Sequence, residues 1–277
     1  MSNNLVIEDG VLKQYTGQGD VVIPDEVESI FGAPFCDFYD PFKLTLSNNL
    51  TCSFGEILSQ GITGLHIPAG TNFKCKDCSP NGTSFFVALE SITVDSENPY
   101  CASENGMLLS KDKTVLYACP AAHAGDKGTL IVPDTVTIIA ARAFGGCKNL
   151  KEIVLPDSVK CIEERAFADC KALKKLVLPD GIETIGKEAF LRCAKLTNAG
   201  LKGSTKKGYS YEFPWQTEIP ENAFSGMNKL QKVCLPETIT SIGKGAFKGC
   251  KALVEINLPE NVKCDKKTFK DCAKLSI

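Results

Sequence analysis

LKEIVLPDSVKCIEERAFADCKA, Leu150 to Ala172, decides how this 277-residue chain is read. LKKLVLPDGIETIGKEAFLRCAK, Leu173 to Lys195, follows at once with the same length and the same landmarks. Each stretch opens with Leu, two polar residues, an aliphatic, one further residue and Leu-Pro. Each has an Ile four residues before Ala-Phe, and a Cys three residues after the Phe. Phe144, Phe167 and Phe190 lie 23 residues apart; Phe224 follows after 34, Phe247 after 23 and Phe269 after 22. A fixed period of this size marks a repeat array.

One period reads as one coil of a solenoid. Ile153 and Leu155 alternate, so they share one face of a short strand, and Pro156 ends it because proline has no amide to give to a ladder. Ile162, Ala166, Phe167 and Cys170 stand at i, i+4, i+5 and i+8, a spacing that predicts a short helix or consecutive helical turns. A single coil buries too few apolar side chains to offset the ordering of its backbone. Stacking on neighbours must therefore supply the stability.

The pattern LxxIxLPxxVxxIxxxAFxxC, carried by Leu150–Cys170, Leu173–Cys193 and Leu230–Cys250, resembles the BspA-like class of leucine-rich repeats. Leu253–Cys272 follows it loosely, with Asp265 where Ile is expected. The resemblance implies an α/β leucine-rich-repeat solenoid with a curved parallel sheet on the concave side, short helical turns on the convex side, and inserted β-hairpins. It also implies a binding scaffold, often a microbial surface or adhesion protein, with no shared catalytic residues.

Residues 127–277 hold the regular units, and 1–126 are expected to hold a cap hairpin and irregular repeats with a second hairpin, in one continuous solenoid. Asp9-Gly10 between Leu5–Ile7 and Val11–Leu12 predicts the cap hairpin. Val21 and Ile23 begin a first degenerate coil. Leu44–Leu46 and Leu65–Pro68 predict two strands in the least legible part, 31–90. Leu89–Val94 restores the strand pattern, and Met107–Leu109 with Thr114–Tyr117 predict the second hairpin. One regular unit departs, carrying eleven additional residues within KGSTKKGYSYEFPWQ, 202–216.

The balance of 43% apolar and 23% charged residues suits an ordinary folded domain. No apolar run is long enough for a membrane-spanning helix. The start, MSNNLVIEDG, lacks a signal peptide's basic and apolar regions, which leaves a cytosolic protein or one whose leader has been removed. Cell-surface placement follows only from the resemblance. Of the 14 Cys, Cys147, Cys170, Cys193, Cys250 and Cys272 share one repeat position where Met227 also stands. A position that accepts Met suits a buried free thiol, and many free thiols favour a reducing compartment.

Little points to catalysis, and neither a cofactor nor a metal is expected. The two histidines, His66 and His123, sit in an outward strand position and a loop, without a flanking motif. Cys75-Lys-Asp-Cys78 has metal-ligand spacing but no second ligand pair.

Two surfaces are candidates for binding an unknown protein or glycan. On the strands, Glu152, Lys175, Lys232 and Glu255 form one outward row, with Asn198 in the irregular unit. Ile131, Val154, Val177, Cys234 and Asn257 form the next row. In the insert, Tyr209, Tyr211, Phe213 and Trp215 recur at period two, which places all four on one face, either as interface anchors or packed on the solenoid as an added strand pair. The lysines are scattered through the sequence and Arg is rare, so nucleic acid is not expected. Residues 1–138 carry 7 basic and 17 acidic side chains, net −10, and 139–277 carry 24 and 16, net +8. This polarity suggests a monomer or a weak head-to-tail oligomer. The alternative function is therefore an assembly module joined through oppositely charged ends.

Overall fold

The computed structural model describes residues 4–57, 59–74, 88–122, 129–179, 181–201, 217–235 and 239–276. The chain divides into two compact units, Met1–His123 and Ala124–Ile277.

The first unit opens with the hairpin β1 (Leu5–Glu8) and β2 (Val11–Tyr15), turned by Asp9 and Gly10, both at positive φ. Strands β3 (Val21–Val22) and β4 (Ser29–Ile30) make the first coil, β5 (Phe42–Thr45) and β6 (Thr51–Cys52) the second, and β7 (Ile62–Ile67) and β8 (Asn72–Phe73) the third. Strand β9 (Ser91–Val94) completes a parallel sheet in the order β3-β5-β7-β9, with Leu44 paired to Leu65 and Leu65 to Ile92. The described residues of the stretch that sequence left hardest to read, 31–90, thus form coils. The predicted second hairpin is a three-stranded meander, β10 (Cys101–Glu104), β11 (Met107–Ser110) and β12 (Val115–Ala118).

The second unit repeats one plan. A first row of strands comprises β13 (Thr129–Ile131), β15 (Glu152–Val154), β17 (Lys175–Leu178), β19 (Asn198–Leu201), β21 (Lys232–Cys234) and β23 (Glu255–Asn257). A second row comprises β14 (Ile138–Ile139), β16 (Cys161–Ile162), β18 (Thr184–Ile185), β20 (Glu218–Ile219), β22 (Ser241–Ile242) and β24 (Lys263–Cys264). All pairing is parallel and in register, Ile153 to Leu176 and Ile162 to Ile185. In the last coil Cys264, not Asp265, pairs with Ile242. The 22-residue spacing has lost one residue before that point, which moves the inward position back by one.

The expected helical turns on the third side are not there; among the described residues there is no helix, hence none long and apolar enough to cross a membrane. Backbone amides alternate instead. Ala166, Ala168 and Cys170 donate to carbonyls three residues back, of Glu163, Arg165 and Phe167. Arg165, Phe167 and Asp169 donate to Lys187, Ala189 and Leu191 of the next coil. The cause is a pair of left-handed residues four apart in five of the six coils, the last keeping only Asp271. Arg142, Arg165, Glu188, Asn222 and Gly245 share the first position, and Gly146, Asp169, Arg192, Gly226 and Gly249 the second, all at positive φ. Left-handed residues reverse the turn, so no i to i+4 ladder propagates. The same coil-to-coil bonds continue across the insert, where Glu188, Phe190 and Arg192 donate to Glu221, Ala223 and Ser225.

Inside, Phe144, Phe167, Phe190, Phe224, Phe247 and Phe269 form one stack with ring centroids 4.8, 5.5, 5.7, 5.4 and 5.7 Å apart. Outside, side chains at the strained position form a ladder. Arg165 Nε donates to Glu188 Oε2, and Asn222 Nδ2 donates to Glu188 Oε1 at 3.3 Å. Burial opposes the charge on Glu188, but Arg165 outweighs it and holds the carboxyl below the usual range. A lowered carboxyl stabilises the fold above the ordinary value of 4.5, and that stability fades as pH falls through the folded value. Urea unfolding should therefore find Glu188→Gln less stable than the wild type by ~1–3 kcal/mol at neutral pH, with the gap narrowing in acid; a gap that does not change with pH would mean that the carboxylate charge is not what matters.

Candidate functional site

The first-row strands position the candidate surface. Pairing aligns Thr129, Glu152, Lys175 and Asn198 in one row, and Lys232 with Glu255. Lys175 Nζ lies 3.8 Å from Glu152 Oε1, and Lys232 Nζ lies 2.6 Å from Glu255 Oε2. The charged row therefore pairs with itself across coils. Beside it Ile131 is 67% exposed and Val154 is 47% exposed. Both are β-branched residues that a strand favours, and alternation turns them away from the core that Leu130 and Ile153 enter. Backbone register carries the row on to Val177, whose side chain lies outside the described residues. Asn257 closes the row differently. Its Nδ2 donates to Leu235 O at 2.7 Å and its Oδ1 accepts from Leu235 N at 2.5 Å, which fastens it to the preceding coil.

Tyr209, Tyr211, Phe213 and Trp215 lie outside the described residues, as do Cys75, Cys78 and His123. His66 takes the predicted outward place. Its Nδ1 is 3.0 Å from Thr93 Oγ1, and its Nε2 is 3.5 Å from Asp95 Oδ1. This joins a hydroxyl, an imidazole and a carboxylate on an open sheet, where Thr93 Oγ1 also donates to Leu65 O at 3.5 Å. Sequence reasoning missed Val22, 62% exposed on β3 in the same row as His66. Its signal was the Val-Val pair before Ile23-Pro24, which cannot bury both side chains in one strand.

The eleven cysteines whose side chains are described are all unbridged. In the repeat position the thiols of Cys170, Cys193, Cys250 and Cys272 donate to the carbonyls of Phe144, Phe167, Phe224 and Phe247, at 3.1 to 3.3 Å. The neighbouring thiols of Cys147 and Cys193, together with burial, push the Cys170 thiol well up. The Cys170 and Cys250 thiols, both pushed up, pack rather than react, whereas the half-buried Cys272 thiol of the last coil is lowered to about 7 by its hydrogen bond with Cys250. Among the described residues no three His, Cys, Asp or Glu side chains converge to hold a metal. Chemically, this arrangement offers a parallel sheet surface with apolar and charged stripes.

The charged stripe is largely free of structural duty, because exposed ion pairs contribute little. Lys232→Ala should change the unfolding free energy by less than about 1 kcal/mol, and added salt should shrink even that; a larger, salt-resistant loss would make the row a structural element.

The sequence model of the BspA type leucine rich repeat region matches residues 128–214 and 209–277, in 6 copies. No curated protein matches the chain. Among solved structures, a leucine-rich repeat protein from Eubacterium ventriosum is 25% identical over 93% of this chain and 71% of its own, with a TM-score of 0.68. The pneumococcal vaccine antigen PcpA is 22% identical over 91% of this chain and 60% of its own, with a TM-score of 0.66, a likeness of fold. With its matched repeats, stacked coils and phenylalanine column, this chain belongs to the BspA type leucine-rich repeat family.

Proposed function

We propose that the protein is a non-enzymatic scaffold that binds another protein or a surface glycan through the first-row strand face of the second unit. The observation that carries this reading is the exposure of Ile131 and Val154 beside a row of charges that neutralise one another. Exposed apolar residues flanked by charge are the anatomy of an interface patch. Neighbouring strands hold each side chain at a fixed spacing, so little ordering entropy is lost on binding. The insert with Tyr209, Tyr211, Phe213 and Trp215 is the second contact in this proposal, since insertions in repeat arrays gather at binding faces. Cell-surface adhesion is the form that the family resemblance favours.

The partner is to be isolated on the immobilised protein, identified by mass spectrometry, and then measured by calorimetry. Ile131→Asp/Val154→Asp and, separately, Tyr211→Ala/Trp215→Ala should each weaken it by at least roughly tenfold, the effect of losing one interface anchor. Affinity unchanged in both variants, with the fold intact by circular dichroism, would remove this face and this insert from the function.

A further inference from the structure

The lysines that look scattered in sequence line up in the second unit. Each coil turns a corner between the third side and the first-row strand through a tight turn that begins at the repeat Cys or at Met227. Leu173, Leu196, Leu230, Leu253 and Leu275 close these turns by donating to Cys170, Cys193, Met227, Cys250 and Cys272 at 3.0 to 3.2 Å. The two residues at the tip must point outward, and one of them is lysine in every coil. Lys148, Lys171, Lys195, Lys229, Lys251 and Lys274 are all exposed. Lys151 and Lys174 extend the row at the next position in two coils. The turn tips hold no Asp or Glu.

Among the described residues, the stripe shares its lack of ion-pair partners with Lys244, Lys248, Lys263, Lys266, Lys267 and Lys270, but unlike these its lysines recur at one place in every coil. Lys160, Lys175, Lys187 and Lys232 pair with Glu183, Glu152, Glu221 and Glu255 of adjacent coils. None of the eight corner lysines is ion-paired to a described residue. Of the acids next to the turns, Asp169 is held by Arg192, whose Nε donates to it at 2.7 Å, and Asp271 adjoins the final turn. The phenylalanine stack sets the pitch, 4.8 to 5.7 Å per coil. The result is one uncompensated positive charge per coil along six consecutive coils, a separation on the scale of one sugar ring.

We infer that this corner is a binding track for a linear acidic polysaccharide, with carboxylate or sulfate groups spaced by its rings. Duplex nucleic acid fits less well, since it carries about one charge per 1.7 Å of axis, far denser than the track. Single strands are held by aromatic platforms, and no turn tip is aromatic. Arginine, the planar fork suited to phosphate, is absent from the tips, while lysine serves as a simple point charge. The track is separate from the strand face of the proposed function, and either can fail without the other.

The test uses fluorescently labelled polygalacturonate and dextran sulfate, to separate carboxylate from sulfate, on the full chain at low and physiological salt. The wild type should bind at least one of them, with affinity falling steeply as salt rises. Lys171→Gln/Lys195→Gln/Lys229→Gln/Lys251→Gln should bind roughly tenfold or more weakly. Lys160→Gln/Lys187→Gln/Lys244→Gln/Lys263→Gln, with the same loss of charge from other sides, should stay within about twofold. On the unmutated protein, bound polymer should shield the corner lysines from acetylation, read by mass spectrometry. No binding of either polymer, equal loss in both variants, or unshielded corner lysines would overturn the proposal. Displacement by duplex DNA or oligothymidine at lower charge concentration would overturn it in favour of nucleic acid.

Discussion

The rest of the structure depends on the way backbone amides are shared between coils. On the turn side, alternate amides close tight turns within the coil and the others cross to the next coil. A coil by itself would leave every crossing amide unpaired, and a buried unpaired amide is costly. In five of the six coils the alternation comes with two left-handed residues. Glycine takes that conformation freely, but Arg165, Glu188 and Arg192 do not. Their side chains offset the strain by bonding along the ladder, Arg165 to Glu188 and Arg192 to Asp169. Strain in one coil is thus tied to a charge in its neighbour.

The same sharing explains how the second unit tolerates an eleven-residue insert. Glu188, Phe190 and Arg192 find partners in Glu221, Ala223 and Ser225, as if the insert were absent. The phenylalanine stack passes the same point with a 5.7 Å step. Core and turns are kept in step by their bonds, while the surface between them is left to vary. The corner-tip side chains, and outward strand side chains such as those of Ile131 and Val154, are not needed for this backbone bonding. Their positions are the places where a repeat scaffold can hold recognition chemistry without disturbing its fold.

The strands, their register and their buried rows could be read from Leu150–Ala172, because alternation and period survive in any one coil. The turn side could not. Apolar residues at i, i+4, i+5 and i+8 are produced equally by a helix and by successive tight turns, and the interior they reach is the same. The distinguishing signal was chemical: Gly146, Gly226, Gly245, Gly249, Asn222 and Asp169 are residue types that accept left-handed backbone. Arg165, Glu188 and Arg192 in the same places hid it. In the first unit, Phe42–Thr45 and Ile62–Ile67 were hard to read because their coils lack the Ala-Phe-x-x-Cys half, although the strand half pairs as it does elsewhere. On the candidate face, Ile131 and Val154 could be read from alternation alone. The cross-coil partners of Lys175 and Lys232 could be placed only once register was fixed.

Native-state hydrogen exchange on Phe190→Ala tests most directly whether stability lies between coils rather than within them. Phe190 is fully buried between Phe167 and Phe224. The account predicts that the crossing amides of both neighbours, Phe167 and Phe224, lose protection together with that of Phe190, on each side of the vacated ring. Loss confined to the coil of Phe190, with Phe167 and Phe224 still protected as in the wild type, would contradict it.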